Sequence, residues 1–284
     1  MTDPRHDPHP HADPHDRGLA YDLAHFTARR RVLAGLGAGM ILSAGSFGGP
    51  TGAGEANTIA TGADGAVCIK DPGETAGPYP GDGTNDANGQ TANVLTESGV
   101  VRTDIRTSFA GLTPVADGVQ LDIVLALVNA GTACDPLAGH AVYLWHCDAA
   151  GQYSVYDRPD CNYLRGVGVS DAGGKLRFTT VFPGCYPGRW PHMHFEVFAS
   201  PEAAVTGTAA ILTSQLLMPE QVCLAVYGSN PFYPASFAAM GGVSVLTDNV
   251  FGDNTAEQLQ GQTPMFSGDV ASGLLAFAQI GLSA

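Results

Sequence analysis

The chain has 284 residues and a formal net charge of −14, with 44% hydrophobic and only 14% charged residues. That much apolar material can build a sizeable core in one large or two small domains. The acidic balance excludes a nucleic-acid or anionic-membrane surface, since both demand basic patches. Abundant Gly (37) and Pro (19) favour an all-β domain rich in turns.

Residues 1–27 are polar and rich in His, Asp and Pro, a composition that predicts disorder. Arg29, Arg30 and Arg31 then precede an apolar run from Val32 to about Ala44. The run is too short and too glycine-rich for a membrane span. An arginine pair before a modest apolar stretch resembles a twin-arginine export signal. Small residues through Ala53 and Ala56 offer a cleavage site, and an uncleaved membrane anchor is the alternative. The expected organisation is a disordered N-terminus plus export signal over 1–56 and a single β-sandwich domain over 57–284, exported from the cytoplasm. His6, His9, His11, His15 and His25 fall in the first part, leaving His140, His146, His192 and His194 as candidates for chemistry. Cys68, Cys134, Cys147, Cys161, Cys185 and Cys223 all lie in the second part. An even count in an oxidising compartment points to disulfides, whose pairing the sequence leaves open. No C-x₂-C zinc pattern is present.

Residues 57–99 are turn-rich and include ETAGPYPGDG, Glu74 to Gly83, the kind of stretch that wraps a core as a functional arm. Val101 to Arg106 alternates as a short strand. Strands are expected over Val119–Val128 and His140–Asp148. Two more follow in NYLRGVGVSDAGGKLRFTTVFPG, joined by a turn at Asp171–Gly174. The segment Pro183–Phe198 supplies another strand, Ile211–Met218 reads as extended, and Val222–Tyr227 as a short helix or strand. The rest of the chain is loop-rich, with a last apolar stretch at Leu274–Ile280. Short strands linked by turns, with no long amphipathic helix, predict an antiparallel β-sandwich with long loops and few short helices.

The chemistry concentrates in PGCYPGRWPHMHFEVF. His192 and His194 are two apart in a strand, so their imidazoles share one face and reach one point, as a metal ion requires. Tyr186 adds a phenol from beyond a Pro/Gly turn, and Arg189 a fixed cation. An H-x-H pair alone is equally a pair of surface histidines, so the surrounding residues must decide. His146, in YLWHCD, has core neighbours and reads as a packed histidine.

The blocks VYLWHCDAAGQYSVYD, NYLRGVGVSDAGGKLRFTTVFPG and CYPGRWPHMHFEV, with ETAGPYP and VRTDIR upstream and LTSQLLM downstream, resemble the intradiol ring-cleavage dioxygenases, and in particular their exported branch. The resemblance covers roughly residues 68–218. It implies a β-sandwich holding one non-haem Fe(III) through Tyr163, Tyr186, His192 and His194. Phenolate oxygens are hard donors that favour ferric iron, and imidazole suits iron as well. It further implies that a catechol-type aromatic diol and O₂ are the substrates, that the ring opens between the hydroxyl-bearing carbons, and that a muconate-type diacid results. Tyr186 would take a substrate proton, Arg189 would stabilise developing negative charge, Gln215 would lie near the substrate and Tyr79 would line the pocket. The segment from Tyr186 to His192 is shorter than in the intracellular enzymes, which implies a more open pocket, and Cys185 and Trp190 depart from the family pattern. The competing readings are a non-catalytic exported sandwich with a vestigial site and a zinc or copper protein using the same histidines. Membrane attachment is expected only through the N-terminal signal, and a homo-oligomer is compatible with the sequence.

Overall fold

The computed structural model describes residues 59–61, 67–206 and 209–283. The expected export signal, residues 1–56, lies outside them. Among the described residues the elements in chain order are β1 (Ile59–Thr61), β2 (Val67–Ile69), β3 (Asp82–Ala87), β4 (Gln90–Asn93), β5 (Gln120–Asn129), β6 (Asp135–Pro136), β7 (Ala141–Trp145), β8 (Arg165–Val169), β9 (Lys175–Val181), β10 (His192–Phe198), α1 (Pro201–Val205), β11 (Leu212–Leu217), α2 (Glu220–Ser229), α3 (Pro234–Met240), α4 (Ala256–Gln262), β12 (Met265–Asp269) and β13 (Gly273–Leu282). None of these helices is long and apolar enough to cross a membrane.

Two sheets form the expected all-β sandwich. One has the order β11-β10-β7-β8, all antiparallel. The other has the order β12-β13-β5-β6, with β9 also paired to β5. Its β13–β5 pairing is parallel, with Leu274 opposite Leu121 and Leu282 opposite Asn129. β5 shows why the sheets stack: Leu121, Ile123, Leu125 and Leu127 are fully buried and alternate along the strand, so they share one face. That face meets Val142 and Leu144 of β7 and Met193, Phe195 and Val197 of β10 in one core cluster.

Period-two geometry then fixes the site's location. With Met193, Phe195 and Val197 turned inward, His192, His194 and Glu196 must point to the outer face of their sheet. That face is not open to water. Tyr143, Trp145 and Val167 belong to a second apolar cluster that also contains Val94, Leu95 and Tyr153, with Ala76, Tyr79 and Tyr186 packed against it. β7 and β10 are therefore buried on both sides.

Three expectations need correction. The expected strand Val101–Arg106 consists only of isolated bridges, Val101 to Val167 and Asp104 to Thr179. The Asp171–Gly174 turn does not close a hairpin, because β8 pairs with β7 whereas β9 crosses to β5 in the other sheet. The segment beyond residue 228 carries α3, α4 and β12 as well as the expected apolar strand. The helices there are short, and α3 and α4 have apolar patterns too brief to register as periodic. Of the cysteines, Cys68 and Cys134 are joined, tying β2 to the segment after β5. Cys147, Cys161, Cys185 and Cys223 are buried thiols.

Candidate metal centre

β10 delivers the histidines. His194 sits opposite Trp145 of β7 and Gln215 of β11 in the sheet register. Its ring stacks on the Trp145 indole at 4.9 Å, only 6° from parallel. His192 is held from below, with its Nδ1 2.5 Å from the Trp190 carbonyl. A carbonyl only accepts, so Nδ1 carries the proton and the Nε2 lone pair is left facing the site. His192 Nε2 and His194 Nε2 lie 3.0 Å apart. Both rings are fully enclosed. Burial, reinforced by the Arg189 charge, pushes His192 down to about 3. Burial and the His192 neighbour push His194 well below the usual range. Two neutral nitrogen donors thus converge on one point.

Two phenols join them. The Tyr186 hydroxyl is 3.3 Å from His192 Nε2, and the Tyr153 hydroxyl is 3.5 Å from the same nitrogen. The Tyr153 and Tyr186 rings meet edge-on at 5.7 Å. Their approach depends on Gly151, whose φ of +82° is a left-handed conformation; a Cβ there would lie 2.6 Å from the Cys185 carbonyl oxygen. The turn carrying Tyr153 can therefore close on the turn carrying Tyr186. Beyond it, Val155 has a φ of 73°, costly for a β-branched residue and characteristic of functional loops. Burial raises the Tyr153 phenol well above its ordinary range.

Tyr163, the expected partner of Tyr186, is not among these groups. Leu164 adopts φ 57°, so the alternation of β8 cannot be extended back to Tyr163. Its ring packs with Ala116, Cys161 and Val181 in a separate cluster, and its hydroxyl donates to Asp148 at 3.0 Å. Burial, followed by the Asp148 charge, raises this phenol. Sequence reasoning overlooked Tyr153, although GQYSVYD directly follows the strand that pairs with β10, and so returns to the histidine end of the sheet.

The remaining expected residues sit around this centre. Arg189 is buried, its Nε donating to Asp248 at 3.0 Å and its Nη2 to the Gln215 side-chain oxygen at 2.6 Å. Gln215 in turn donates to the Thr75 carbonyl at 2.8 Å. Both ends of Gln215 are thus bonded to protein, which makes it a link between Arg189 and the arm. Tyr79 stacks on Tyr153 at 4.7 Å and meets Tyr156 edge-on at 5.2 Å. Arg165, fully buried, ties the arm down through the Pro80 carbonyl at 2.7 Å and holds Ser154 beside Tyr153. His146 is the packed histidine expected: Nδ1 bonds the Cys147 carbonyl and Nε2 the Thr180 hydroxyl, each at 2.8 Å.

The donor set suits ferric iron. Among the described residues no three His, Cys, Asp or Glu side chains gather as a metal site; here two of the four donors are phenols. Two nitrogens bound about 2.1 Å from one ion at right angles would lie about 3 Å apart, as the two Nε2 atoms do. A buried phenol with a raised pKa ionises only beside a strong cation.

With this geometry in place, comparison with known proteins is informative. The sequence profile of the dioxygenase family matches residues 112–226. Over 77 residues the chain is 39% identical to the beta chain of protocatechuate 3,4-dioxygenase from Burkholderia cepacia. Residues 112–226 thus carry the dioxygenase family's sequence profile, and the chain is similar there to the intradiol ring-cleavage dioxygenases. The match to the Burkholderia relative covers 22% of this chain and 32% of the relative, so the two share about a third of the relative's length. The fold extends further than the sequence match. An intradiol ring-cleavage dioxygenase from Tetranychus urticae superposes with a TM-score of 0.57 at 21% identity, over 76% of this chain and 95% of that one. A second solved dioxygenase gives 0.58 at 22% identity, over 76% and 94%. Asp248, which anchors Arg189, lies beyond the segment that the family profile matches.

Proposed function

We propose that this chain is an exported, ferric-iron-dependent dioxygenase that opens the ring of a catechol-type diol between its hydroxyl-bearing carbons. Both atoms of O₂ enter the product, a muconate-type diacid. The observation that carries the reading is the convergence of Tyr153, Tyr186, His192 and His194 within 3.5 Å of His192 Nε2 or directly upon it. These four residues would hold the iron. When bound, ferric iron supplies a site for both catechol oxygens and draws electron density from the ring, so that O₂ can react with it.

The two phenols divide the labour by their packing. Tyr153 is buried, stacked beneath Tyr79, and remains a fixed donor. Tyr186 is half-buried on a turn bounded by Pro183 and Pro187. It is therefore the phenol that yields to an incoming diol and accepts a substrate proton at its oxygen. Arg189 presents a buried positive charge beside the centre, where negative charge grows during ring opening. Tyr79 and the arm exclude water from the reacting face.

Export rests on the arginine run at 29–31 with its short apolar stretch. The Cys68–Cys134 disulfide supports it, since such bonds persist in oxidising compartments. The test is a visible spectrum of the iron-loaded protein, before and after catechol without oxygen. A broad tyrosinate-to-iron band that shifts on catechol addition is expected, followed by muconate-type product once O₂ is admitted. A protein that stays colourless after iron loading would overturn the reading.

A further inference from the structure

The segment after the matched family region makes two contacts that meet at the metal centre. The first is Asp248, buried, whose Oδ2 accepts from Arg189 Nε at 3.0 Å and from the Trp190 backbone N–H at 2.6 Å. Its Oδ1 accepts from the backbone N–H groups of Val250 and Phe251 at 2.9 and 3.0 Å. Four donors therefore fix this carboxylate in place. The second contact is at the arm. The Asn254 amide donates to Glu74 at 2.8 Å, and Gln262 donates to the same carboxylate oxygen at 3.2 Å.

Gln215 connects the two, accepting from Arg189 and donating to Thr75. The result is a closed circuit: Asp248 to Arg189, Arg189 to Gln215, Gln215 to the arm, the arm to Asn254, and back along the chain to Asp248. A guanidinium has a planar fork whose direction is set by its partners. Within this circuit it has one orientation, with its charge beside His192 and His194.

We propose that Asp248 is a positioning residue that aims the Arg189 guanidinium at the reacting centre. The residues from 248 to 262 thus form part of the active site, and Phe251 among them meets the His192 ring edge-on at 6.4 Å. This rests on the dioxygenase reading above. Asp248 also anchors the Trp190 backbone two residues from His192.

The experiment is a double-mutant cycle on the iron-loaded chain with Asp248→Asn, Arg189→Ala and the pair. Four quantities are read: kcat, KM, iron per chain, and the anaerobic Kd for catechol from the shift of the visible band. Asp248→Asn is expected to retain iron and the band while lowering kcat about 10- to 100-fold, the range set by misdirecting one charged donor. In the Arg189→Ala background the same substitution should change kcat less than about twofold. A loss of equal size in both backgrounds, or none in either, overturns the proposal. If Asp248→Asn does not fold, the native chain decides. Its Arg189 Nε proton, assigned by its disappearance in Arg189→Lys, should exchange slowly in a nitrogen-resolved NMR spectrum, and rapid exchange overturns the proposal. Failure of the dioxygenase reading is separate, because it appears in the native protein as absent colour and turnover.

Discussion

Replacing Tyr153 and Tyr163 by phenylalanine, one at a time, separates two phenols that lie in the same stretch of sequence but differ in what they hold. The Tyr163 hydroxyl donates to Asp148 at 3.0 Å, and Asp148 itself is only 7% exposed. A hydrogen bond to a buried charged group contributes about 1.5–3 kcal/mol. Tyr163→Phe should therefore lower Tm by roughly 3–10 °C. Asp148 keeps its bonds from the Ala150 and Gln152 backbones, so the fold survives and iron binding is unaffected. Tyr153→Phe removes a 3.5 Å contact with His192 and the hydrogen bond with Tyr186 and leaves the stacking with Tyr79 in place. Its effect on the iron-free protein should be about 0.5–1.5 kcal/mol, the net worth of a hydrogen bond between neutral groups. Iron affinity should fall, and the visible band should lose the share that one of two phenolates contributes. The assay is calorimetry without iron together with an iron titration followed in the visible. A Tyr163→Phe variant that loses its colour, or a Tyr153→Phe variant that binds iron like the native protein, would refute the assignment of the donor set.

Three further outcomes can be measured on the same protein. Iron loading at neutral pH should release protons, close to two per iron as both phenols ionise, measurable by pH-stat; none released would contradict phenolate ligation. Asp71 is buried, and burial pushes its acid up to about 7. The folded pKa lies above the unfolded value, so the native state holds the proton longer and stability should fall as pH rises from about 4 to 7. Asp71→Asn should flatten that decline in a series of melting curves, and an unchanged slope would exclude Asp71 as its source. Cys68→Ser opens a bridge spanning 66 residues, for which chain entropy gives about 4 kcal/mol in denaturant titrations; a loss below about 1 kcal/mol would show that the unfolded chain is not constrained by it.

The sandwich was legible because its signals are local. Alternation in β5 and the H-x-H of β10 each predict a face without reference to anything distant. Even the histidines' outward orientation follows from the apolar residues between them. Tyr163 shows where this stops. Its place at the start of a strand read as a residue packed on the sheet and only the family resemblance made it a ligand; a single left-handed residue, Leu164, ends the alternation of β8 before it. No propensity marks a leucine for that conformation, which is imposed by tertiary packing. Tyr153 was hidden by the opposite problem, lying in a loop where no period assigns a direction. Asp248 carried no signal at all, because its partner Arg189 is 59 residues away.

The roof over the metal centre is drawn from parts of the chain very far apart. Glu74 and Asn254 are separated by 180 residues, whereas β7, β8 and β10, which carry or flank the donors, lie within about sixty residues of one another. Loop-closure entropy makes the distant pairing the slower to form. The sandwich floor with its two histidines would then stand ready while the arm is still unattached. During that interval the centre is open to the surroundings, and iron can enter without displacing any part of the finished protein. The bonds of Asn254 and Gln262 to Glu74 would then close over the donors last, so that a site of the proposed kind is completed from the far end of the chain.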